Sequence, residues 1–206
     1  MKFEKDPTKI ESMSMEIIDR GMKPHNLPPE ELAIVKRMIH TSGDFDYQEI
    51  VNITPGAIES GINAINSGCS IVTDTKMAMA GINKTILAER GCAIYNYVDH
   101  EEVFKISKAS KITRSMAAID FALSHQVDIF VIGNAPTALF RLGELIEEKK
   151  LTPKLIVAVP VGFVGAAESK EYIRTLDVPT ISTVGTKGGS NIAAAVINAL
   201  LYMRAG

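Results

Sequence analysis

The sequence predicts an α/β fold: a doubly wound, mostly parallel sheet flanked by helices, with an N-terminal helical appendage. Three observations carry this expectation. From Tyr47 onward, short continuous apolar runs alternate with helix-length segments. Continuous apolar runs are the pattern of strands buried on both faces, and helices between them imply right-handed crossovers in a shared sheet. Ahead of that alternation stand two helical segments with no strand between them. A chain of 206 residues fits one domain and can bury a substantial core. The expected organisation is a single domain over 1–206, divided into N-terminal helices at 1–46 and an α/β body at 47–206.

Taken in order, Pro7 to Gly21 reads as a helix with Ile10, Met13, Ile17 and Ile18 in one apolar stripe. Ser14 lies beside that stripe, where a serine usually faces solvent or bonds back to its own backbone. A second helix starts at Pro28 or Pro29, because first-turn amides lack intrahelical acceptors and proline costs nothing there. Glu30 and Glu31 complement the positive end of its dipole, Leu32, Val35, Met38 and Ile39 face the body, and Gly43 stops it. Strands are expected at Ile50–Ile53, Ser70–Thr73, Ala93–Tyr97, Ile129–Ile132, Leu155–Val159 and Thr180–Thr183. Helices are expected near Pro55–Ser67, Lys76–Arg90, Arg114–His125, Pro136–Lys149, Ala166–Thr175 and Ser190–Met203.

Composition narrows the function. Hydrophobic residues make 46%, charged residues 22%, and the net charge is −2, so no nucleic-acid or membrane partner is expected. The stretch MKFEKDPTKIES lacks an apolar signal-peptide core, and the run Leu155–Ala167 is too short and too interrupted to span a bilayer. Cys69 and Cys92 show no CxxC spacing, so core thiols in a reducing cytoplasm are the expectation. The four histidines have no metal-ligand spacing, no G-x-S-x-G elbow occurs, and GTKGGS lacks the phosphate-loop spacing. A flavin or nucleotide site on a flavodoxin-like sheet stays open, since fold alone does not give function.

In doubly wound sheets ligands sit beyond the carboxyl ends of the strands. The loops there read GNAPTAL, where Asn134 can cap and Pro136 can open a helix, then PVGFVGAAESK, GTKGGSNIAAA and TDTKMAMAGI, with ITRS ahead of another helix. Their glycines permit close backbone approach, and helix N-termini attract anions. Such turns are also ordinary packing devices. The densest chemistry lies in RMIHTSGDFD: Arg37 and His40 are three residues apart, hence near one helical face, at a helix end. The dipole there favours imidazolium, Arg37 opposes it, and a bound polyanion would offset the arginine. His40 then reads either as an acid working near neutrality or as a residue that helps cap the helix.

RMIHTSGD, TDTKMAMAGI, ITRSMAAI, GNAPTAL, PVGFVGAAESK and GTKGGSNIAAA together resemble the precorrin-8X methylmutase family, also called precorrin isomerase, in one order over nearly the whole chain. The resemblance implies a homodimeric α/β subunit acting in corrin synthesis, moving a methyl group from C-11 to C-12 of precorrin-8X or cobalt-precorrin-8. It carries the catalytic proton donor onto His40 and substrate contacts onto Arg37 and Ser14. Arg114, in ITRS, is an additional candidate for a substrate carboxylate, because a guanidinium fork binds carboxylates bidentately. The implied partner is an anionic corrin-type tetrapyrrole. No cofactor or protein-bound metal is expected, and any cobalt belongs to the substrate. A non-catalytic tetrapyrrole carrier and a flavodoxin-like nucleotide-binding protein are the competing readings.

Overall fold

A computed structural model describes residues 4–203. Six strands, β1 (Val51–Ile53), β2 (Ser70–Thr73), β3 (Ala93–Tyr95), β4 (Ile129–Ile132), β5 (Leu155–Ala158) and β6 (Thr180–Thr183), form one sheet in the order β1-β6-β5-β4-β2-β3. All neighbours are parallel except β1, which runs antiparallel to β6 with Val51 opposite Thr183. Every residue of β4, β5 and β6 is buried, which is why these strands read as unbroken apolar or small-polar runs.

Side chains alternate across the sheet. Ile129, Val131, Leu155, Val157 and Ile181 point into the core shared with α2 (Pro29–Ser42), α4 (Ala57–Asn66) and α11 (Ser190–Tyr202). Phe130, Ile132, Ile156 and Ala158 point into the core shared with α8 (Arg114–Ala122), α9 (Pro136–Glu147) and α10 (Ala166–Arg174). The result is three layers, with helices on both faces as the apolar runs require.

The N-terminal segment divides in two. Helix α2 is a core element: Ile34, Val35, Met38 and Ile39 are buried, and it packs on α11. Pro29 opens it, and Gly43 ends it in the left-handed region (φ 67°), its amide donating to the Ile39 carbonyl. Helix α1 (Pro7–Gly21) alone has the character of an appendage. Of its expected stripe only Ile18 is buried, whereas Ile10, Met13 and Ile17 are exposed, because α1 meets the body along one edge only.

Four local expectations differ from the structure. The single helix expected at Lys76–Arg90 is two, α5 (Lys76–Gly81) and α6 (Lys84–Glu89). Ile82 is extended, and the Asn83 side chain caps α6 by accepting from the Thr85 and Ile86 amides. Short α3 (Tyr47–Ile50) occupies the start of the first expected strand, and α7 (Glu101–Ser110) follows β3 where no helix is expected. Helix α9 has Ala135 at its N-cap and no side-chain cap; Asn134 is exposed, and Asp74 holds the turn that leads into the helix. The Asp74 carboxylate accepts from the Gly133, Asn134 and Ala135 amides at 2.9, 2.8 and 2.7 Å.

That bond set lies at the switch point, where β3 and β4 flank β2 on opposite sides. The chain's own carboxylate therefore fills the amide niche that a flavin phosphate would need. Burial pushes the Asp74 carboxyl up, and the three amides pull it back down only in part. Across the same junction, Gly133 passes so close to α11 that an added Cβ would fall 2.7 Å from Ser190 Cα. Backbone cannot yield as a side-chain tip does. Gly133→Ala is expected to destabilise the fold by about 1–3 kcal/mol, read as a lower urea midpoint; an unchanged midpoint would contradict this packing.

Candidate functional site

Helix α2 places Arg37 and His40 on one wall of a pocket of about 490 Å³. Thr41 shares that wall, the break between α5 and α6 (Gly81, Ile82, Asn83) forms a second, and Asn191, Ala194, Ala195, Asn198 and Tyr202 of α11 form the third. His40 is exposed in the last turn of α2, with no hydrogen-bond or ionic partner among the described residues. Its imidazole is thus free to meet a ligand. Arg37, one turn earlier, lies with Cζ 5.4 Å from the Tyr202 ring centroid and Nη1 3.6 Å from Glu11 of α1.

The opposite walls are tied together. Asn198 accepts from the Asn83 amide at 2.8 Å and donates to the Gly81 carbonyl at 2.9 Å. Asn83 donates in turn to the Tyr202 hydroxyl at 3.2 Å. These bonds hold the α5–α6 break against α11, and the break is what gives the pocket its second wall. Sequence reading misses Asn83, Asn198 and Tyr202, although Asn191 and Asn198, seven apart on one helix, lie on one face.

Asp44 and Asp46 do not orient His40. They belong to the turn after α2 and also bind Lys187 of the β6–α11 loop, Asp46 at 2.6 Å. Lys187 holds the Asp44 carboxyl below its ordinary range and is itself raised. Lys170 of α10 is wholly buried and donates to Thr183 Oγ1 at 3.1 Å and to the Lys187 carbonyl at 2.9 Å. Burial, with Arg174 nearby, pushes its ammonium down to about 8. Ala166, Ser169, Lys170 and Ile173 form the buried stripe of α10, a spacing visible in sequence but masked by the charge.

Two other sequence candidates stand apart from His40. The Ser14 hydroxyl donates to the Ile10 carbonyl at 2.7 Å and lines none of the pockets described. Arg114, exposed at the start of α8, reaches Asp99 at 3.3 Å and stacks on Phe104. Asp99 also holds Lys76 at 2.6 Å, and Lys76 lines a separate pocket with Tyr95 and Tyr97. Ala80 of α5 borders both that pocket and the one holding His40. A larger pocket of about 670 Å³ near the start of α2 is rimmed by Glu30, Glu31 and Glu59, a poor match for an anion.

The family model for precorrin-8X methylmutase matches residues 9–203. The chain belongs to the precorrin-8X methylmutase family. A cobalt-precorrin-8 methylmutase of Leptospira interrogans is 44% identical over 94% of this chain and 92% of its own. One of Salmonella typhimurium is also 44% identical, over 98% of both. A precorrin-8X methylmutase of Pseudomonas aeruginosa is 37% identical over 85% of this chain and 84% of its own. The solved precorrin-8x methyl mutase from Thermus thermophilus superposes with a TM-score of 0.87 at 36% identity, covering 94% of each chain. Methylmutases of this family are isomerases of cobalamin biosynthesis, and this chain is one of them. No helix among the described residues is long and apolar enough to cross a membrane.

Lys170 makes stability depend on pH. Its ammonium titrates near 8 in the fold against 10.5 ordinarily, so the unfolded chain binds more protons between those values. Stability contributed through Lys170 therefore rises with pH across that window. Urea unfolding of wild type and Lys170→Met at pH 7.5 and 10.5 is expected to show the rise diminished in the variant. Equal pH slopes would contradict the burial of this charge.

Proposed function

We propose that this methylmutase moves a methyl group from C-11 to C-12 of precorrin-8X or cobalt-precorrin-8, giving hydrogenobyrinate or cobyrinate, with His40 as proton donor. The observation that carries this reading is the shared wall: an unpartnered imidazole and a guanidinium one helical turn apart, facing one pocket. The substrate is a broad, partly apolar ring edged with carboxylates. Arg37 binds one carboxylate through its planar fork, and Ala194 and Ala195 offer small apolar contacts beside it.

The shift is intramolecular, so the chain needs no nucleophile, redox cofactor or resident metal; any cobalt arrives with the substrate. Protonation of a ring nitrogen by His40 withdraws electron density from the conjugated system and favours the rearranged chromophore. Arg114 serves a more distant carboxylate in place of Asp99. Ser14 contacts the substrate after its hydroxyl turns away from the Ile10 carbonyl. Glu11, three residues before Ser14 on the same helix, already reaches Arg37, which supports that placement.

A cytoplasmic homodimer fits the surface and the thiols. Phe163 and Val164 are 93% and 89% exposed at the β5–α10 loop, adjacent apolar side chains that a second subunit would cover. Cys69 and Cys92 are free, as in a reducing compartment.

His40→Ala is expected to slow formation of the product chromophore about 100- to 10,000-fold, the usual contribution of a positioned acid, while substrate still binds. Undiminished conversion, followed by absorbance, would contradict the acid role, and a carrier without catalysis would show no conversion in either protein. Arg37→Ala is expected to weaken substrate affinity more than it lowers the rate at saturation. Unchanged affinity would count against its carboxylate role.

A further inference from the structure

We propose that Tyr202 is a positioning residue for Arg37, holding the guanidinium by its face so that its N–H edge stays available to a substrate carboxylate. The inference rests on the binding role given to Arg37 above. Arg37 and Tyr202 together border both the His40 pocket and a second pocket of about 390 Å³ on their other side. An arginine at such a divide has two directions open to it, and a long side chain loses entropy when confined to one. Two contacts restrict it: the Tyr202 ring, 5.4 Å from Cζ, and Glu11, whose 3.6 Å approach is too long for a good bidentate pair. An aromatic ring attracts the cation without taking up its N–H donors as a carboxylate does, whereas the carboxylate of Glu11 competes with the substrate for them.

The ring itself is anchored. Its hydroxyl accepts from Asn83, whose backbone is held by Asn198 and whose side-chain oxygen caps α6. Tyr202 is the last residue of α11 and 57% exposed; beyond its own helix it meets Arg37 through its ring and Asn83 through its hydroxyl. An exposed aromatic at a helix end that buries little of itself contributes little to the core. Its placement is accounted for by the cation it faces.

The test is an absorbance titration with hydrogenobyrinic acid, the polycarboxylate corrin, on wild type, Tyr202→Leu, Tyr202→Phe, Arg37→Ala and the Arg37→Ala/Tyr202→Leu double variant. Tyr202→Leu is expected to weaken binding roughly 3- to 10-fold; in a parallel turnover assay with the methylmutase substrate the loss appears in KM rather than kcat, and the pH profile of kcat keeps its shape. Tyr202→Phe, which keeps the ring, is expected to stay within about twofold of wild type, as is the double variant compared with Arg37→Ala alone. Three results would overturn the proposal: no loss in Tyr202→Leu, an equal loss in Tyr202→Phe, or the full loss persisting without Arg37. If Arg37→Ala weakens binding and Tyr202→Leu does not, only the positioning role fails. If Arg37→Ala binds as tightly as wild type, the role of Arg37 fails as well. Comparison with Tyr202→Phe and the double variant keeps the test decisive even if Tyr202→Leu lowers the thermal midpoint.

Discussion

The close packing of α11 is the constraint on which the rest of the structure depends. Its buried face is built from Ala193, Ala194, Ala195 and Ala199 among larger aliphatics. Small side chains let three neighbours approach one helix at once: α2 on one flank, α5 on another, and the sheet beneath. The fit at α5 is tight enough that a Cβ on Gly81 would fall 2.9 Å from that of Ala194. Native interiors tolerate little change in such contacts. The pocket is what remains where these helices diverge, and the Asn198 bonds to Asn83 and Gly81 fix its second wall against α11.

Electrostatics then decides what the pocket can accept. The chain carries a net charge of −2, yet its cations are unevenly matched. Lys187 is held by two carboxylates and stitches the β6–α11 loop to the turn after α2. Lys76 and Arg114 share the single carboxylate of Asp99, and Arg37 has only the more distant Glu11 among the described residues. Exposed pairs of this kind contribute little to stability, so an incoming carboxylate displaces an internal one at small cost. The switch-point niche behaves differently. Asp74 is buried on three amides there, and losing that acceptor would leave buried donors unsatisfied. The position where related sheet architectures bind a phosphate is a fixed part of this fold, and the pocket that holds Arg37 and His40 is walled by α2, α11 and the α5–α6 break.

Much of this was legible in the sequence because it depends on local pattern. Strands β4, β5 and β6 are buried on both faces, and burial of that kind leaves an unbroken run. Pro29 and Gly43 mark the ends of α2 through backbone geometry alone, and the three-residue spacing of Arg37 and His40 places them on one face. The illegible parts depend on partners distant in sequence. Asn83 breaks a helical run while held by Asn198, Asp74 holds the turn at Gly133–Ala135, and buried Lys170 finds its acceptors at Thr183 and Lys187. The apolar stripe of α1 was read correctly as a stripe, but no local rule says whether a neighbour covers it. Ser14 illustrates the limit for site residues: its place in mid-helix anticipates a hydroxyl bonded back to its own backbone, and it does donate to Ile10, but no local rule says whether a ligand would draw it away.

The central claim is that the corrin lies in the pocket between α2 and α11 with His40 against its ring. A crystal structure of the protein with bound hydrogenobyrinate tests this most directly. The account predicts a macrocycle nitrogen within about 2.6–3.2 Å of the His40 imidazole and a peripheral carboxylate on Arg37. A macrocycle bound in the acid-rimmed pocket of Glu30, Glu31 and Glu59, or one that leaves His40 out of reach, would contradict it.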